Sequence, residues 1–265
     1  MADKTEKADL INRGDYSPSP GGTITFLGLR PLGPLLQYHL LSGVGTTLLA
    51  KAGFRIIASP VTETGIAVID RLNMPLPHLI VLAMSTGAAV KQIYWLVGLS
   101  RERFGVGAGI AVTMYNTLLD SVNTLLFLSA ACSATNGPAF PGAPSLSAYQ
   151  VVGSALYVVG ILLETISESQ RKAFKDKPAN KGKVMRSGLW SLARHINYGG
   201  YVIWRSAYAL AAWGVAGGLF VATFQGVDFA VRGVPMLDKY CQERYGEQWA
   251  GFRRQVKWLL VPGIY

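Results

Sequence analysis

The run Ser187-Gly188-Leu189-Trp190-Ser191-Leu192-Ala193-Arg194-His195-Ile196-Asn197-Tyr198-Gly199-Gly200-Tyr201 carries the densest chemistry of the chain. A guanidinium gives bidentate contact to phosphate or carboxylate, and Tyr and Trp rings stack on a planar base. A second polar run follows an apolar stretch: Asp238, Lys239 and Tyr240, then Glu243 to Trp249, then Arg253 and Arg254. Asp238 accepts from hydroxyl or ammonium groups. Two such elements bracketing an apolar hairpin can close on one ligand, and their composition fits a phosphate-bearing or charged nucleotide cofactor. Basic decoration of one membrane face and an aromatic belt account for the lysines and some aromatics. They do not account for Arg-His-x-Asn-Tyr at 194–198.

The elements that must hold these residues are apolar. Of 265 residues half are hydrophobic and only 15% are charged, where soluble domains carry about a quarter; mean hydropathy is +0.29. This composition excludes a disordered or nucleic-acid-binding tail protein. The net charge of +10 then reads as cytoplasmic loops obeying the positive-inside bias rather than as a nucleic-acid partner. Cys132 and Cys241 are too few for a disulfide framework, and His39, His78 and His195 are scattered, so no metal site is expected. Both cysteines are expected to be free thiols.

The class expected is all-α: a polytopic integral membrane protein with about six to seven transmembrane helices. Windows of about 20 apolar residues fall at 32–50, 76–98, 105–131 and 148–166, and 198–231 is long enough for two helices joined tightly within 213–218. Segment 53–70 is weakly apolar and broken by Pro60, so it is either interfacial or a short span. Residues 1–31 form a polar N-terminal tail without the apolar core of a leader, with Ser17–Gly22 as a flexible run. Gly43-Val44-Gly45 and Gly105-Val106-Gly107-Ala108-Gly109 lie inside apolar runs with no preceding strand, which favours close helix packing over a nucleotide loop. Asn116, Asp120 and Asn123 make a polar stripe in the third window, and Arg205 sits one turn beyond Tyr201. Asp120 and Arg205 either pair with each other or line a polar cavity. Segment 167–197 holds eight basic residues against Glu168 and Asp176, while 132–147 is uncharged; the loop 167–197 and the C-terminus are therefore expected on the cytosolic side.

The stretch 164–201 followed by 236–262 resembles the C-terminal half of the steroid 5α-reductase superfamily, which includes sterol reductases and, more distantly, isoprenylcysteine carboxyl methyltransferases. The matching positions are Gly188, Leu189, Trp190, Arg194, His195, Asn197, Tyr198, Gly200, Asp238, Tyr245, Gly246 and Pro262. Glu168 with Gln170, Arg171 and Lys172 resembles the polar end of a helix contributing to the cofactor site. Two positions depart: Ile196 replaces a usual proline, and Tyr201 replaces a usual acid that in the reductases resembles a cofactor ligand. Asn197 and the single acid Asp238 favour the reductases, whereas Tyr201 leans toward the methyltransferases.

The resemblance implies an NADPH-dependent reductase of an activated C=C bond in a sterol-like or isoprenoid substrate, in the endoplasmic reticulum membrane. It implies cofactor binding by Glu168, Arg171, Trp190, Arg194, His195, Asn197, Tyr198, Asp238 and Tyr245. The proton donor is expected from the N-terminal half, with Tyr94 as candidate against its plainer reading as an interfacial anchor. Residues 32–147 are expected to shape the substrate pocket and 148–265 to form the reductase-like half. The alternatives are an S-adenosylmethionine-dependent methyltransferase, in which Asp238 meets the cofactor's amine, and a non-catalytic relative.

Overall fold

The computed structural model describes residues 14–58 and 65–265, and within them the chain forms two compact units, divided after Asn136. In the first unit α1 (Pro20–Leu29) begins earlier than expected, cutting short the flexible run at Ser17–Gly22. Proline at the first helical position is pre-set for helix. Gly22 meets the Phe104 carbonyl so closely that no side chain would fit, and Phe26 packs edge-on against Phe104 at 5.7 Å. Gly109 lies against the Gly22 carbonyl, so the glycine-rich run at 105–109 serves close helix packing.

Helix α2 (Leu32–His39) passes through a wider π turn at Leu40–Val44 into α3 (Gly45–Lys51). Gly43 takes φ 131° there, a conformation that side chains oppose. After a single turn, α4 (Ala67–Asp70), come α5 (Leu76–Tyr94) and α6 (Val106–Leu128). Pro60 lies outside the described residues. The described remainder of 53–70 holds only α4 and a bridge from Ile56 to Ser129.

The second unit opens with a short antiparallel hairpin, β1 (Ala139–Phe140) and β2 (Ala143–Ser147), and then α7 (Ala148–Asp176). Ser147 and Gln150 form a reciprocal cap that satisfies backbone donors at the start of α7. α8 (Ile196–Asp228) breaks at Trp213 and Gly214, where Gly214 takes φ 78° and ψ −165°, a region open essentially to glycine alone. The two arms fold back on each other. Tyr198 and Phe229 stack at 4.3 Å, whereas about 1.5 Å rise per residue would part them by about 46 Å on a straight helix. The hairpin expected in 198–231 is thus present. A π turn leads to α9 (Val234–Tyr245) and, past Gly246, α10 (Glu247–Gln255).

Among the described residues three stretches are long and apolar enough to cross a membrane: Leu76–Leu99, Ala148–Asp176 and the folded-back Ile196–Tyr245. The chain is an integral membrane protein of helical class. The expected six to seven spans are not reached on this measure among the described residues. The window at 32–50 divides into short helical pieces, and α6 is diluted by Asn116, Asp120 and Asn123.

Asp120 has an ionic partner within the first unit, Arg30. Both side chains are fully buried, with Arg30 Nη2 3.3 Å from Asp120 Oδ2. Ser85 donates to the same oxygen, Arg30 Nε donates to Gln92 and Gln92 donates to Asn116. A Cβ at Gly33 would lie 2.6 Å from Arg30 Nη1, so the missing side chain leaves the guanidinium its room.

Candidate functional site

The polar residues of the second unit gather where α7 and the first arm of α8 touch backbone to backbone. A Cβ on Gly160 would lie 2.5 Å from the Trp204 nitrogen, and one on Gly200 2.6 Å from the Glu164 nitrogen. This approach lets short side chains meet across the pair. Asn197 Nδ2 donates to Glu168 Oε1 at 2.6 Å, and Arg171 Nη2 bridges Glu168 Oε2 at 2.7 Å. Glu168 is buried, while the Arg171 side chain is 49% exposed. Asn197 Oδ1 is buried without a hydrogen-bond partner among the described residues. That is an acceptor position open to a ligand donor.

A second group lies beside it. His195 is buried, stacks on Tyr198 at 5.9 Å, and places Nε2 3.5 Å from Asp238 Oδ1 on α9. Arg253 on α10 approaches the other Asp238 oxygen at 3.9 Å. The backbone nitrogens of Arg194 and His195 donate to the carbonyls of Trp258 and Leu259, which ties this corner to the C-terminal segment. Arg194 turns its guanidinium to the Val256 carbonyl at 2.8 Å. Burial lowers its affinity for the proton, a shift opposed by Asp238. The Val256 contact ties the Arg194 side chain to the C-terminal segment.

Trp190 donates its Nε1 to the Ser167 carbonyl and lies under Arg171 at 5.8 Å. Tyr245 accepts from Lys175 Nζ at 2.9 Å, joining the ends of α7 and α9. Nine of the ten expected residues thus fall in the second unit, in neighbouring clusters on α7, the 188–198 segment and α9. Tyr94 belongs to the first unit, half-exposed near the end of α5 with its ring close to Gly98.

The structure adds residues that the motif did not single out. Glu164, one turn before Glu168, accepts from Trp204 Nε1 at 2.7 Å. Arg205 is 2% exposed, lies 4.4 Å from the Trp204 ring and donates from Nε to Tyr201 Oη at 3.2 Å. Phe229 stacks on Tyr198 and meets Tyr201 edge-on at 5.6 Å. The four-residue spacing of 164 and 168 and of 201 and 205 was the available signal. Between the hairpin arms runs an apolar cavity of about 720 Å³, walled by residues such as Val202, Leu210, Leu219, Val227, Ala230 and Val261.

Residues 113–256 match the sequence profile of DUF1295, described as a protein of unknown function. The chain belongs to the DUF1295 family. The steroid 5α-reductase-like resemblance read at 164–262 is therefore shown. The DUF1295 chain is 38% identical over 238 residues to the Probable O-methyltransferase ustE of Ustilaginoidea virens, covering 89% of this chain and 84% of that protein. It is 29% identical over 125 residues to a Delta(14)-sterol reductase of Ascobolus immersus, covering 42% of this chain and 29% of the reductase. A Delta(14)-sterol reductase of Schizosaccharomyces pombe is 36% identical over 84 residues, or 31% of this chain and 20% of that enzyme. The chain thus matches most of the methyltransferase-named relative but under a third of either reductase.

Proposed function

We propose that this protein is a membrane-embedded reductase that uses NADPH to saturate an activated C=C bond in a lipophilic, sterol-like or isoprenoid substrate. The observation that carries the reading is the charge and openness of the polar face of the second unit. Segment 167–197 has eight basic residues against two acidic, and 232–265 has six against three. Positive-inside bias accounts for the lysines of this rim, and its arginines suit a polyanion. The residues present fit a dinucleotide: Asn197 Oδ1 is an open buried acceptor, and Arg171 and Arg253 are half-exposed forks.

When bound, NADPH supplies a hydride. Arg171 and Arg253 would hold its phosphates, Asn197 and Asp238 its hydroxyl or amide donors, and Tyr198 and Trp190 the planar ends. Glu168 keeps Asn197 oriented through its 2.6 Å contact. Arg194 contributes by fastening the C-terminal segment, and Lys175 by holding Tyr245. The positive-inside bias supports a cytosolic position for this face, and the sterol-reductase resemblance supports the endoplasmic reticulum membrane. The apolar cavity between the hairpin arms supports a lipophilic substrate.

A second reading, an S-adenosylmethionine-dependent methyltransferase, is favoured by the relative that matches most of the chain and by Tyr201 standing where the reductases have an acid. Titration of the purified protein in mild detergent with both cofactors separates the two. Under the reductase reading NADPH binds, and Asn197→Ala weakens it by about one to two decades with folding intact, the cost of unsatisfied partners. Under the methyltransferase reading S-adenosylmethionine binds and Asp238→Ala abolishes it. NADPH affinity unchanged in Asn197→Ala would sink the first reading.

A further inference from the structure

Buried charge in a membrane arm calls for an explanation, because it is costly and tends to face a working cavity. Arg205 is such a charge, on the first arm of the hairpin. Its guanidinium lies on the Trp204 face and reaches the Tyr201 hydroxyl, while Trp204 is held by Glu164. Tyr201 itself is only partly buried. It lies one turn from Asn197 and Tyr198, and its ring touches Phe229, which stacks on Tyr198. Its neighbours Val202 and Ile203 wall the apolar cavity. A proton-bearing oxygen beside a fixed cation, one turn from the polar cluster and on the helical turn whose next two residues wall the apolar groove, is suited to give its proton to a substrate oxygen.

We infer that Tyr201, supported by Arg205, is the catalytic acid of the reaction; this rests on the reductase reading. In an enone substrate the β-carbon accepts the hydride supplied by NADPH, and the C=C π pair shifts until the carbonyl oxygen gains an electron pair. That oxygen forms an O–H bond as the Tyr201 O–H bond breaks. The pair left on the phenolate oxygen sits beside the Arg205 cation. Water reprotonates Tyr201, and the enol product tautomerises to the saturated ketone. Arg205 is a positioning residue, and Glu164 holds the indole that carries it.

The test uses the full-length protein in detergent with NADP⁺ and a 4-en-3-one steroid as probe. A carbonyl hydrogen-bonded to an acid shifts the enone absorption band to longer wavelength. The shift is expected in the wild type, lost in Tyr201→Phe and diminished in Arg205→Lys, with NADPH affinity within about twofold in Tyr201→Phe. With NADPH, kcat should fall about 100-fold or more in Tyr201→Phe, with little change in the KM for NADPH. A wild type that binds no NADPH overturns the reductase reading itself. NADPH binding without the shift, or a shift and turnover that survive in Tyr201→Phe, overturns Tyr201 and leaves that reading standing. Loss of both in Tyr94→Phe alone would move the acid to the first unit.

Discussion

Two acidic residues held by arginines show how differently the two units use charge. In the Asp120–Arg30 pair of the first unit both side chains are 0% exposed. The surrounding Ser85, Gln92 and Asn116 bond inward to the same network. In the Glu168–Arg171 pair of the second unit the carboxylate is 6% exposed but the guanidinium is 49% exposed. There a buried Asn197 oxygen still awaits a donor. Polar residues at membrane depth are therefore not by themselves a site. A pair buried on both sides joins helices; one whose cation reaches water can exchange a protein partner for a ligand.

The comparison breaks most sharply at Asp120. Asp120→Ala leaves Arg30 charged in a dry core, and a loss of about 3–5 kcal/mol is expected, read as collapse of the folded yield and of the melting temperature in detergent. Arg30→Met combined with Asp120→Leu should recover most of it, because both charges are gone. A double variant as unstable as the single one would show that the pair does more than bind helices. Gly160→Ala probes the other side. Its Cβ would overlap the Trp204 backbone, and about 1–3 kcal/mol of overpacking strain is expected. The helices would part, so cofactor affinity should fall with stability. Normal NADPH binding in this variant would show that the Glu168–Asn197 contact does not need the close approach. The smallest effect is expected at Lys172, whose bond to Asp176 is one helical turn long and a third exposed on each side. Lys172→Ala should change stability by about 0.3–0.5 kcal/mol, within reach of a thermal shift series at two salt concentrations.

Much of the second unit was legible in the residues alone. Chain-local signals specify its long helices and the motif at 188–198, and Gly214 marks the turn of the hairpin because few other residues tolerate its backbone. Charge distribution likewise singled out the polar face without any knowledge of packing. The partners were another matter. Asp120 was visible as an intramembrane acid, yet nothing local points to Arg30, just past the end of α1, as a counterion; Gly33 leaves that guanidinium its room. Arg194 has the chemistry of a phosphate ligand, and only the path of the C-terminal segment turns it to the Val256 carbonyl. Asn197 meets Glu168 across helices whose close approach is set by Gly160 and Gly200, 40 residues apart in sequence. Composition and periodicity act within a few turns of the chain, so by themselves they determined the membrane class, the long helices and the types of residue available for chemistry. Which of those residues face each other depends on contacts between distant segments, and that only the tertiary structure decided.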